Sequence, residues 1–149
     1  MINGQLSETC GNRTLPVAAP IVSSVQIRDL AGNPHPQYWS ALIDTGADTT
    51  VVPLAACKEL GLAPRDWRYA RGYDHGAQPR RTPRYYVRVE IPEVGDFPLL
   101  AFGVQRSYLL LGRDFLAGLL LLVDGESSHW KLGRRSLWTR LVLPFLALR

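Results

Sequence analysis

Ala41-Leu-Ile-Asp44-Thr45-Gly46-Ala47-Asp48-Thr49-Thr50-Val51-Val52-Pro53 is the stretch on which the reading of the chain turns. Leu42-Ile43 reads as the end of a buried strand, and Gly46 marks a sharp turn where a side chain would clash. Asp44 is thereby delivered to the mouth of a turn leaving a sheet, backed by apolar surface. A carboxylate so placed either bonds its own backbone or does chemistry. Asp-Thr-Gly is ordinary turn vocabulary, so on the tripeptide alone turn formation is the stronger reading.

A second stretch changes the balance. Tyr108-Leu-Leu-Leu-Gly112-Arg113-Asp114-Phe115-Leu116 reads as an apolar strand, a Gly-Arg-Asp turn and a short helix. In this order and at this spacing, the two stretches resemble the active-site loop and following element of the retroviral-type (retropepsin-like) aspartic proteases. The resemblance runs from about Val22 to Leu132. It implies an all-β fold, a mainly antiparallel closed β-barrel with one or two short helices. It also implies an aspartic endopeptidase in which two Asp carboxylates share one water.

The chain carries a single Asp-Thr-Gly, so the second carboxylate is expected from another copy in a homodimer. The same resemblance assigns Asp44 as catalytic, with Thr45 and Gly46 in support. It places Ala47, Asp48 and Arg113 in substrate binding or a structural ion pair. Arg113 suits such a pair because its planar fork can bond a carboxylate through two donors. Asp114 is read as a charge at a helix start. The family's flap falls on Arg71-Gly72-Tyr73-Asp74-His75-Gly76, whose glycines would let a lid open and close. This segment departs from the retroviral Gly-rich flap in carrying Asp74, His75 and several Arg, so substrate preference stays open.

Composition narrows the alternatives. The 149 residues are enough for one domain, and 46% hydrophobic against 20% charged is ordinary globular usage. The net charge of +4 comes mostly from Arg, concentrated between Arg65 and Arg88. Trp67, Tyr85 and Tyr86 lie near these arginines, but no nucleic-acid recognition motif accompanies them, and no specific nucleic acid is expected. Cys10 and Cys57 are far apart, and His35, His75 and His129 are isolated, so no metal site and no cofactor is expected. The N-terminus lacks a basic region followed by an apolar core, which leans the reading towards the cytoplasm.

In chain order, residues 1–20 read as an N-terminal arm and 21–133 as the protease-like domain. A strand from Ile21 to Leu30 has Val25 and Ile27 inward, with Gln26 and Arg28 outward. A turn over Ala31–Pro36 leads into a strand from Tyr38 that delivers Asp44. Pro53 to Gly61 reads as a short helix with Leu54 and Cys57 on its buried stripe. Arg65 to Pro83 shows the least regularity. Strands follow over Tyr86–Ile91, Phe97–Val104 and Tyr108–Leu111. A last hairpin turns at Asp124–Ser128.

The apolar tail over 134–149 reads as a dimer or packing element ahead of membrane contact; Pro144 breaks it and it is too short to span. The expected partners are therefore a second copy of the chain and a polypeptide substrate. The rival reading is a catalytically silent member of the same fold, a dimerisation or peptide-binding module.

Overall fold

A computed structural model describes residues 1–72 and 78–134. The flap candidates Tyr73, Asp74, His75 and Gly76 and the tail over 135–149 lie outside the described residues. The elements in chain order are β1 (Ile2–Cys10), β2 (Arg13–Arg28), β3 (Pro34–Ile43), β4 (Val51–Pro53) and α1 (Leu54–Glu59). They continue with β5 (Asp66–Ala70), β6 (Arg80–Ile91), β7 (Gly95–Val104) and β8 (Leu109–Leu111). The chain then passes through α2 (Arg113–Leu116), β9 (Leu119–Asp124) and β10 (His129–Arg134).

The strands follow the order β5-β6-β7-β4-β8-β3-β2-β1-β10-β9, and an added β6–β2 pairing closes six of them into a ring. This is the mainly antiparallel, all-β architecture, with two short helices. Two parallel contacts interrupt the antiparallel rule, β3 with β8 and β4 with β7. Both lie where the chain enters and leaves the Asp44 loop.

The ring encloses alternating apolar positions. Val25, Ile27, Val87, Val89, Ile91, Leu109, Leu111 and Phe115 are at most 1% exposed and belong to one cluster. Each such side chain contributes about 1.5–3 kcal/mol of transfer free energy, so the ring is held chiefly by its filling. Phe97 and Phe115 meet edge to face at 4.9 Å, tying α2 to β7.

Gln26 was expected to face outward and is buried instead. Both faces of β2 are covered here, since Val25, Gln26 and Ile27 are buried in succession and the β2–β3 register shifts just after Gln26. The buried Gln26 amide donates to the His35 carbonyl at 3.4 Å.

The first twenty residues, set apart in the sequence as an arm, form β1 and the first part of β2. Ile2 to Gln5 pair with β10, while Thr9 and Cys10 pair with Thr14 and Arg13 across a tight turn. Residues 65–83, which carry little periodicity, include β5, paired with the extended start of β6 from Asp66↔Arg84 to Ala70↔Arg80. In α1, Pro53 precedes the helix, Ala56 and Cys57 are buried, and Gly61 ends it at φ +67°.

Candidate active site

Asp44 stands one residue beyond β3, and its N–H continues the parallel ladder by donating to the Leu111 carbonyl at 3.0 Å. The loop then turns: the Gly46 N–H donates to Asp44 Oδ1 at 2.8 Å, and the Ala47 N–H donates to the Asp44 carbonyl at 3.3 Å. One carboxylate oxygen is thus fixed by the backbone while the group stays half-buried at the surface. Thr45 and Gly46 are exposed beside it.

Gly46 does not use the left-handed region. Its role is steric, because a Cβ there would sit 3.2 Å from Asp44 Oδ1, tighter than ordinary contact. The side chain whose clash was expected at this turn would meet the Asp44 carboxylate.

Below the loop lies a set of hydrogen bonds centred on Thr50, which is fully buried. Its hydroxyl donates to Asp114 Oδ1 at 2.7 Å and accepts from the Gly112 N–H at 3.1 Å. Its N–H donates to the same Asp114 carboxylate at 2.9 Å, and its carbonyl accepts from Phe102 at 3.1 Å. Asp114 also accepts from the Phe115 N–H at 2.8 Å. The Arg113 N–H donates to the Ala47 carbonyl at 2.8 Å. Two loops distant in sequence are thereby stapled together directly beneath Asp44.

Gly112 is required for that approach. A Cβ on it would meet the Thr49 carbonyl carbon at 2.8 Å and the Ala47 oxygen at 3.0 Å, both backbone. Asp48 and Arg113 form an ion pair, with both side chains largely exposed. Asp114 does more than mark a helix start, and Thr50 had no assigned part in the sequence reading. The signal available was Thr50 at the boundary between the polar Asp48-Thr49 pair and the apolar Val51-Val52-Pro53 run.

Two clefts share Asp44 as a wall. One, of about 280 Å³, is bounded by Leu15, Val17, Leu42, Tyr108 and Leu110 together with Arg13 and Arg106. The other, of about 200 Å³, is bounded by Gly46, Ala47, Val51, Gly72, Val104, Leu110 and Arg106. Gly72, at the end of the β5–β6 hairpin, is the one flap candidate that the described residues place at the site. Asp44 is the only carboxylate lining either cleft among the described residues. Among the described residues there is no group of three His, Cys, Asp or Glu able to hold a metal ion, and no helix long and apolar enough to cross a membrane.

Comparison with known proteins agrees with the motifs. Solved structures similar to the chain include three proteases or protease-like domains. The EIAV protease complexed with the inhibitor HBY-793 is 22% identical, with 66% of this chain and 86% of that chain covered at a TM-score of 0.45. A retropepsin-like aspartic protease from Rickettsia conorii is 17% identical, covering 77% and 92% at 0.48. The retroviral protease-like domain of Ddi1 from Leishmania major is 15% identical, covering 77% and 96% at 0.44. Among curated proteins none matches. The family model described as aspartyl protease matches residues 22–115, from the middle of β2 through the Thr50–Asp114 staple to Phe115. The chain belongs to the aspartyl protease family.

Proposed function

We propose that the chain is a retropepsin-like aspartic endopeptidase, active as a homodimer in which two copies of Asp44 face one another. The observation that carries this reading is the position of Asp44. Its carboxylate is fixed on one oxygen by the Gly46 N–H, half-buried between two clefts with no second carboxylate in either wall among the described residues. Asp48 is committed to Arg113 and Asp114 to Thr50, so neither neighbouring acid is free to share a proton with Asp44. The missing partner is Asp44 of the partner subunit.

Two carboxylates that close cannot both ionise, and the pair holds one proton between them. The ionised member takes a proton from a bound water as its oxygen attacks the scissile carbonyl carbon. The protonated member donates to the carbonyl oxygen. Collapse of the tetrahedral intermediate returns a proton to the amide nitrogen and breaks the C–N bond. Thr45, exposed beside Asp44, reaches the partner's loop in this arrangement. Gly46 leaves the carboxylate uncrowded, and Ala47 and Asp48 border the path of the substrate backbone. Residues 71–76, including Gly72, Tyr73, Asp74, His75 and Gly76, act as the flap.

The test compares wild type with Asp44→Asn on an unbiased peptide library at mildly acidic pH. Asn keeps the shape and removes the titrating group, so cleavage by wild type alone supports the reading. A folded, dimeric wild type that cuts nothing between pH 3 and pH 7 would sink it in favour of a silent peptide-binding module.

A further inference from the structure

Arg106 lines both clefts that flank Asp44, a position it shares only with Asp44 and Leu110. Its guanidinium lies 4.9 Å over the ring of Tyr108, which is buried. The Tyr108 hydroxyl in turn accepts from Arg13 Nη1 at 3.1 Å, so the platform under Arg106 is itself anchored. Stacking on a ring fixes the plane of the guanidinium while leaving its edge donors available.

Five other arginines, Arg28, Arg68, Arg84, Arg88 and Arg113, have carboxylate partners. No carboxylate among the described residues pairs with Arg106. The neighbouring walls are mostly apolar, from Val104 and Leu110 in one cleft and Leu15, Val17 and Leu42 in the other, which Arg13 also lines. An oriented, half-buried fork in an apolar cleft beside the reacting group is a receptor for a planar anion.

We infer that Arg106 is a specificity residue that receives the carboxylate of a Glu or Asp side chain next to the scissile bond. This rests on the protease reading for its register to the scissile bond, though not for the binding itself. An enzyme with only apolar walls at these positions would take apolar side chains there. The Arg106 head instead leaves an acidic side chain paired and a basic one repelled.

The experiment uses pools of labelled, C-terminally amidated hexapeptides with one position fixed as Glu, Gln or Lys. Cleavage is followed with wild type, and binding with Asp44→Asn. At one position next to the cut, Glu is expected to exceed Gln about ten-fold, the worth of one charge-assisted hydrogen bond. In Arg106→Gln the ratio falls to about one, and Arg106→Glu shifts the preference to Lys, which a misfolded chain could not do. Cleavage with equal rates for Glu and Gln, or a ratio that survives Arg106→Gln, overturns the inference and leaves the protease reading intact. Glu-selective binding lost in Arg106→Gln but without any cleavage by wild type keeps the receptor and overturns proteolysis. Neither binding nor cleavage overturns both. In parallel pools with a free C-terminus, tight binding that the amidated pools lack overturns the side-chain assignment and moves the carboxylate to the chain end.

Discussion

Thr50 shows how much a single hydroxyl can organise. It joins the Asp44 loop to the Gly-Arg-Asp turn through Asp114 and the Gly112 N–H, in a fully buried position. Thr50→Val keeps the volume and leaves a buried N–H and a carboxylate oxygen short of a partner. Denaturant unfolding should show a loss of about 1–3 kcal/mol, with most of it recovered in Thr50→Ser. The two thiols lie at the opposite extreme of reactivity. Burial pushes Cys57 up to about 12, and pushes Cys10 up to about 11 against the opposing charge of Arg106. At pH 8 iodoacetamide should leave the native chain unlabelled and modify both cysteines in denaturant; labelling of either in the native chain would contradict their burial.

The β5–β6 hairpin is fastened at its base. Arg84 donates to Asp66 through Nε at 2.7 Å and Nη2 at 2.5 Å, and Arg65 N–H donates to the Arg84 carbonyl. The hydrogen bond from Arg84 is the largest influence holding the Asp66 carboxyl below the usual carboxylate range. A carboxyl lowered on folding stabilises the fold above its unfolded value and loses that contribution as pH falls through the folded one. The melting temperature of wild type should therefore exceed that of Asp66→Asn at pH 7, and the difference should vanish at strongly acidic pH. At the crossing of the loops, Gly112→Ala forces a methyl against the Thr49 and Ala47 backbone. It should cost about 1–3 kcal/mol and reduce any activity that depends on Asp44.

Elements also differ in how clearly the sequence announced them. β3, β7, β8 and the core half of β6 are legible because one covered face imposes alternation or an unbroken apolar run, as in Val87, Val89 and Ile91. β5 is not, because Trp67, Arg68 and Tyr69 are all exposed, and backbone pairing and the Asp66–Arg84 pair hold it in place of a buried face. β1 is hidden because its apolar residues Ile2, Leu6 and Cys10 fall four apart, without strand alternation, and its first half pairs with the distant β10. Within the site, Asp44 and the Asp48–Arg113 pair are legible through the family resemblance of their two motifs, whereas Arg106 is a lone charge whose meaning depends on which walls it joins.

At the scale of the molecule, β2 joins two regions with one strand: its second half closes the ring with β3 and β6, and its first half pairs with β1. The ring and the staple hold a single Asp44 at the surface, and in the proposed function one chain supplies half of a proton-sharing pair. Activity should then depend on association, with specific activity falling as the protein is diluted below its dimer dissociation constant. The measurement that tests this most directly mixes wild type with Asp44→Asn at constant total concentration, under conditions where subunits exchange. If the two Asp44 groups act as one dyad, only wild-type pairs are active, and an equal mixture should retain about a quarter of the wild-type rate. A mixture that retains half, tracking the wild-type fraction linearly, would contradict the shared site and show that each chain acts alone.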